Sequence, residues 1–110
     1  LDLEMTNRLS ASAIGRTVHP DEKVYAQGDQ KKASLLFCAK EAFFKAQFPE
    51  WHTHANFHDL VLAVDEEAGS MSIQLMGKRF PEELRVLLED IEFSFRFFGD
   101  YVVTACWLKA

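Results

Sequence analysis

Five charged side chains in this chain are spaced so that they could share one task. Asp2 and Glu4 stand two apart near the start, and Lys40, Glu41 and Lys45 lie together in the middle. Residues 35–46 are rich in Ala, Leu, Lys and Glu and lack Gly and Pro, which predicts a helix. Stepping round that helix puts Leu35, Ala39, Ala42, Phe43 and Ala46 on one side, and Lys40, Glu41 and Lys45 on the other. Phe37 and Phe44 fall among the charges. A solvated face would not normally carry two phenylalanines, so the helix is expected to be covered on both sides, with its charges held at a seam. Glu41 and Lys45 are four apart in the Glu-before-Lys order, a spacing that also makes an ordinary surface ion pair.

Leu1-Asp2-Leu3-Glu4-Met5 alternates apolar and acidic residues. As a strand it sends Asp2 and Glu4 to one face, with Leu1, Leu3 and Met5 expected toward the core. An edge strand with a wet acidic face would suffice to explain it. Carboxylates two apart on one strand repel, however, and a bound cation relieves that. Magnesium is commonly held through one or two carboxylates plus substrate phosphates.

The elements that must position these groups follow from local signals. Ser10 or Ser12 caps a short helix ending near Thr17. His19-Pro20-Asp21-Glu22 looks like a second helix start, with His19 as a turn or capping residue. Gly28-Asp29-Gln30 precedes the central helix, and Phe48-Pro49 is expected to end it. His58 to Val64 reads as a strand, residues 65–69 as a turn, and Met71, Ile73 and Leu75 alternate along the next strand. Phe80-Pro81-Glu82-Glu83-Leu84 opens a short helix to about Glu89. Ile91, Phe93, Phe95 and Phe97 give a clear period-two strand with one buried face, Gly99-Asp100 a two-residue hairpin loop, and Tyr101 to Leu108 the last strand. The expected class is α+β, one long helix packed on an antiparallel sheet of three or more strands.

One hundred and ten residues with ten Phe suit a single domain, and there is no apolar run long enough to span a membrane. Two cysteines, Cys38 and Cys106, sit in apolar surroundings and read as reduced core residues of a cytoplasmic protein. The net charge of −5 argues against general nucleic-acid binding, while Lys31, Lys32, Lys40 and Lys45 still allow a phosphate-bearing ligand. His52, His54 and His58 form H-x-H-x3-H, which matches no zinc site, so a polar loop is expected there.

Taken together, Leu1-Asp2-Leu3-Glu4 and Phe37-Cys38-Ala39-Lys40-Glu41-Ala42-Phe43-Phe44-Lys45 resemble the signatures of the 4′-phosphopantetheinyl transferases, G-x-D-x-E and W/F-x-x-K-E-A/S-x-x-K. The continuation Ala46-Gln47-Phe48-Pro49 is most similar to the enterobactin-synthetase component D branch. The resemblance implies an enzyme that moves the phosphopantetheine arm of coenzyme A to a serine of an acyl or peptidyl carrier protein. It implies Asp2, Glu4 and Glu41 as magnesium ligands, Glu41 also as base, and Lys40 and Lys45 along the phosphates of coenzyme A. The glycine of the first signature would precede Leu1. The chain resembles only the C-terminal lobe of the two-lobe members, so a companion N-terminal lobe or a homo-oligomer is expected to complete the site. A different class of reading is a non-catalytic interaction domain of the same fold, suggested by Phe93, Phe95, Phe97 and Phe98. Adjacent Phe97 and Phe98 cannot both point inward on a regular strand.

Overall fold

The structure, a computed structural model, describes residues 1–109. It is organised on α3 (Gln30–Trp51), a 22-residue helix laid against a sheet of five strands. Asp29 opens this helix: its carboxylate accepts the backbone N–H groups of Lys31 at 2.8 Å and Lys32 at 3.3 Å, two donors that a helix N-terminus otherwise leaves unpaired. The helix passes through Pro49 and ends at Trp51, with His52 in the left-handed region at φ 54°, correcting the expectation that Phe48-Pro49 would end it. Pro49 has no N–H to give Lys45 O, so one ladder bond is lost there, yet the chain stays helical for two residues more. Gln47 holds that turn closed by donating to the Phe44 and Thr53 carbonyls at 3.3 and 2.7 Å.

Before α3 come β1 (Asp2–Met5), α1 (Ala11–Thr17) and α2 (Lys23–Ala26), with a 3-10 turn at Pro20–Glu22. Of the two serines, Ser10 is the cap of α1, accepting from Ala13 N–H at 3.1 Å. His19 caps the 3-10 turn through its Nδ1. After α3, a 3-10 turn at Phe57–Asp59 leads to β2 (Leu60–Asp65) and β3 (Ser70–Met76), so His58 precedes the strand instead of opening it. The expected helix to Glu89 is α4 (Glu82–Arg85) followed by a 3-10 turn at Leu88–Asp90. Then β4 (Ile91–Phe98) turns at Gly99-Asp100 into β5 (Tyr101–Leu108). The strands lie in the order β1-β5-β4-β3-β2, every neighbouring pair antiparallel.

Leu35, Leu36, Ala39 and Phe43 of α3 pack with Phe80, Phe93 and Val102 in the core. Two strand faces differ from the expected pattern. Asp2 and Glu4 pair with Thr104 and Val102, both buried under α3, so the acidic face of β1 points to the helix. Leu1 and Leu3 are 80% and 53% exposed on the other face. Alternation defines two faces but not which is inward; pairing with β5 decides that. In β3, Met71 and Ile73 are buried but Leu75 is 50% exposed and Met76 takes the inner position. A register shift between Val61 and Leu62 of β2 reverses the phase there. No described helix is long and apolar enough to cross a membrane.

Candidate active site

Turning β1 over brings its carboxylates to α3. Asp2 Oδ1 accepts a 2.6 Å bond from Lys45 Nζ; the Asp2 side chain is 7% exposed and that of Lys45 61%. The other carboxylate oxygen, Asp2 Oδ2, is buried without a partner. An unpaired buried carboxylate oxygen is costly and calls for a cation or a donor. Burial pushes the Glu4 carboxyl above its ordinary value, the charges of Asp2 and Glu41 push it further, and Lys45 opposes them. The Lys45 ammonium is pushed up, first by its hydrogen bond to Asp2 and then by the charge of Asp2, with smaller contributions from Glu41 and Glu4. Asp2, Glu4, Glu41 and Lys45 thus feel one another's charge across the β1–α3 seam.

Lys40 does not join them. It is fully buried, and Nζ donates to Glu22 Oε1 at 2.7 Å, Thr17 O at 2.8 Å and Phe57 O at 3.0 Å. Those three bonds use all three of its protons. The structure thus brings Lys40, expected along the phosphates, to Glu22 and not to the carboxylate cluster. The reason is angular, since Lys40 lies about 100° round the helix from Glu41 on the side covered by α1 and by the 3-10 turns at Pro20–Glu22 and Phe57–Asp59. Sequence reading misses its partner Glu22, which it places only within a helix start at His19–Glu22. Glu22 also accepts from the N–H groups of His19 at 2.9 Å and Leu62 at 2.7 Å. No local signal marks an acid that pairs with a lysine from a distant helix.

Among the described residues no three His, Cys, Asp or Glu side chains are gathered closely enough to hold an ion by themselves. The histidines of the H-x-H-x3-H segment are divided. His52 and His54 lie beside the Phe48 ring, at 5.6 and 4.8 Å between centroids. His58 instead meets Gly15 O at 3.1 Å and the His19 ring edge-on. Beside Lys45 a groove of about 470 Å³ opens between Phe44, Phe48, Thr53 and His54. The cluster therefore has an exposed ammonium beside one buried and two half-buried carboxylates, and room next to it. Such an arrangement suits an anionic ligand bridged by a cation.

The fold has close counterparts among solved structures. It superposes on the holo-ACP-synthase from Plasmodium yoelii with a TM-score of 0.69 and 19% identity, over 99% of this chain and 91% of that one. The holo-[acyl-carrier-protein] synthase from Neisseria meningitidis gives 0.69 and 18%, over 99% and 94%. An ACPS–CoA complex from Chronobacterium ammoniagenes gives 0.66 and 22%, over 99% and 95%. No curated protein matches the sequence. Residues 1–106 match the family model described as the 4′-phosphopantetheinyl transferase superfamily. With nearly all of its length inside that match, the chain belongs to the 4′-phosphopantetheinyl transferase superfamily.

Proposed function

We propose that this chain carries out magnesium-dependent transfer of 4′-phosphopantetheine from coenzyme A to a serine of an acyl or peptidyl carrier protein. The observation that carries the reading is the contact of Lys45 with buried Asp2, beside Glu4 and Glu41. In the transfer, the serine oxygen bonds to the phosphorus that bears the pantetheine arm. The pyrophosphate bond to that phosphorus breaks, adenosine 3′,5′-bisphosphate leaves, and the serine proton passes to a base. Lys45, exposed and reorientable, orients the pyrophosphate of coenzyme A by its charge. Glu41, one helical turn before it, accepts the serine proton directly or through a water. The donor set fits magnesium, because the unpartnered Asp2 Oδ2 and the mutual repulsion of Asp2, Glu4 and Glu41 both invite a hard cation whose remaining ligands come from phosphate and water. Magnesium held there would neutralise charge on the phosphate oxygens.

The sequence likeness favours the enterobactin-synthetase branch and the C-terminal lobe of a two-lobe enzyme, its remaining contacts supplied by an N-terminal lobe or by copies of the chain. Unpaired Cys38 and Cys106 suit the reducing cytoplasm. The test is the intact mass of an apo carrier protein incubated with the chain, coenzyme A and magnesium. The expected result is a gain of one phosphopantetheine, lost with a chelator. No gain, with the chain alone or together with a supplied N-terminal lobe, would overturn the reading. Glu41→Gln is expected to slow loading about 100-fold or more. Unchanged loading by that variant would remove Glu41 from the mechanism.

A further inference from the structure

The buried pair Lys40–Glu22 lies outside the carboxylate cluster, yet one of its members is the immediate neighbour of Glu41. Its bonds draw on most of the segments covering that side of α3. Lys40 Nζ reaches Thr17 O at the end of α1, Glu22 in the following 3-10 turn, and Phe57 O before β2. Glu22 Oε2 goes on to accept Leu62 N–H of β2 at 2.7 Å. On the sheet side, Cys38 Sγ lies 3.3 Å from Thr104 Oγ1, and Thr104 Oγ1 donates to Cys38 O at 3.1 Å. At about 100° per residue, Cys38 sits some 60° to one side of Glu41 and Lys40 about 100° to the other. The helix is pinned on both flanks of Glu41, and the same rotation sets Lys45 over Asp2.

We propose that Lys40 and Glu22 form a positioning pair, which fixes the rotation of α3 so that Glu41 and Lys45 meet Asp2 and Glu4. The role is indirect. Both charges are fully buried, so neither touches a substrate. Two hydrophobic side chains of the same bulk would fill the space, and a buried ion pair is by itself weak evidence for stability. Here, however, they would leave Thr17 O, Phe57 O and the N–H groups of His19 and Leu62 unpaired. What such a replacement lacks is direction, because a lysine with three fixed acceptors allows one angle of the helix, whereas an apolar contact allows a range. This inference builds on the transferase reading, and its test has an arm that does not depend on it.

The variant is the full chain with Lys40→Met and Glu22→Gln together, which leaves no buried charge unpaired. Its fold is checked by circular dichroism and Tm. Binding of Mn²⁺, followed by electron paramagnetic resonance, reports on the cluster without any turnover. The expected result is a cooperatively folded double variant with Mn²⁺ affinity lowered about 10-fold. Where the wild-type chain loads carrier protein, kcat should fall about 10- to 100-fold with KM for coenzyme A within about 2-fold, the range seen when supporting contacts of a site are removed. Wild-type Mn²⁺ affinity and kcat in the folded double variant would overturn the proposal and leave the pair a packing feature. A rise in KM with kcat unchanged would also overturn it, because that pattern assigns Lys40 to the phosphates. Should the double variant not fold, Glu22→Gln alone is read the same way, since it keeps the lysine's two carbonyl acceptors. Failure of the wild-type chain to load any carrier would count against the transferase reading and leave the Mn²⁺ comparison to decide the pair.

Discussion

Lys45 occupies a double position. Its ammonium neutralises buried Asp2 at 2.6 Å, yet its side chain is mostly in solvent and is free to swing away once a cation takes its place at Asp2. On the proposed reading a divalent cation and Lys45 compete for the same carboxylate. Lys45→Met is expected to bind Mn²⁺ several-fold more tightly than wild type without coenzyme A, and to bind coenzyme A more weakly, as titrations by paramagnetic resonance and calorimetry would read. Equal or weaker Mn²⁺ binding would show that the ammonium does not stand in for the metal. Cys38 offers a separate test by pH. Burial pushes its thiol up to about 12 from an ordinary 9.0. Between those values the unfolded chain has lost this proton while the folded chain keeps it. Rising pH therefore favours unfolding across that window, and the contribution is fully stabilising below it. Cys38→Ala should flatten the alkaline fall of Tm by the slope of one proton, whatever the constant loss from the small cavity. An unchanged slope would mean that the thiol is not shielded.

The elements show how much a few end groups accomplish. Asp29 satisfies two backbone donors of the helix that carries Lys40, Glu41 and Lys45. Asp29→Ala is expected to lower stability by about 1 kcal/mol in a urea titration, with the midpoint shifted and the slope kept. A shift near zero would mean that solvent caps the helix equally well. At the other end, Pro49 sits within the helix while Gln47 and the left-handed His52 finish it. Gly77 marks a close crossing: a Cβ added there would lie 2.9 Å from Asp59 Oδ1 and 3.2 Å from Asp59 Cα. Its N–H meanwhile bonds Asp59 O at 2.6 Å. That contact joins the end of β3 to the turn before β2, the turn that also supplies Phe57 O to Lys40.

At the scale of the whole molecule, the two faces of the sheet are unlike. One is covered by α3, and the other carries Leu3, Met5, Tyr101 and Phe98, which pairing across β1, β5 and β4 places side by side. Phe98 stacks on Tyr101 at 5.9 Å and, like Leu3 and Tyr101, is exposed. Adjacent Phe97 takes the opposite face, its ring under Lys31 Nζ at 4.4 Å. A contiguous apolar area of this kind favours association. The lone chain is expected to sediment above its monomer mass at micromolar concentration, and Leu3→Glu with Phe98→Glu to return it to monomer with an unchanged Tm. A wild-type chain that remains monomeric would show that the face needs no cover.

What the sequence by itself determined is local. The helix composition of residues 35–46, the period of two in β4, the Gly99-Asp100 hairpin, a serine cap at Ser10 or Ser12 and the shared face of Asp2 and Glu4 all follow from dihedral preferences and from spacings of a few residues. What the tertiary structure decided depends on partners far along the chain. Asp2 and Glu4 point inward because β1 pairs with β5, and Asp2 meets Lys45 across 43 positions. Lys40 is buried because Glu22, 18 positions earlier, receives it. The phase of β3 changes because Gln74 is passed over in its pairing with β2, where Val61 faces Leu75 and Leu62 faces Ile73. Spacing can say that two charges share a face of one element, but only packing chooses which face is dry, and that choice leaves Lys45 largely in solvent beside Asp2 while it buries Lys40 against Glu22.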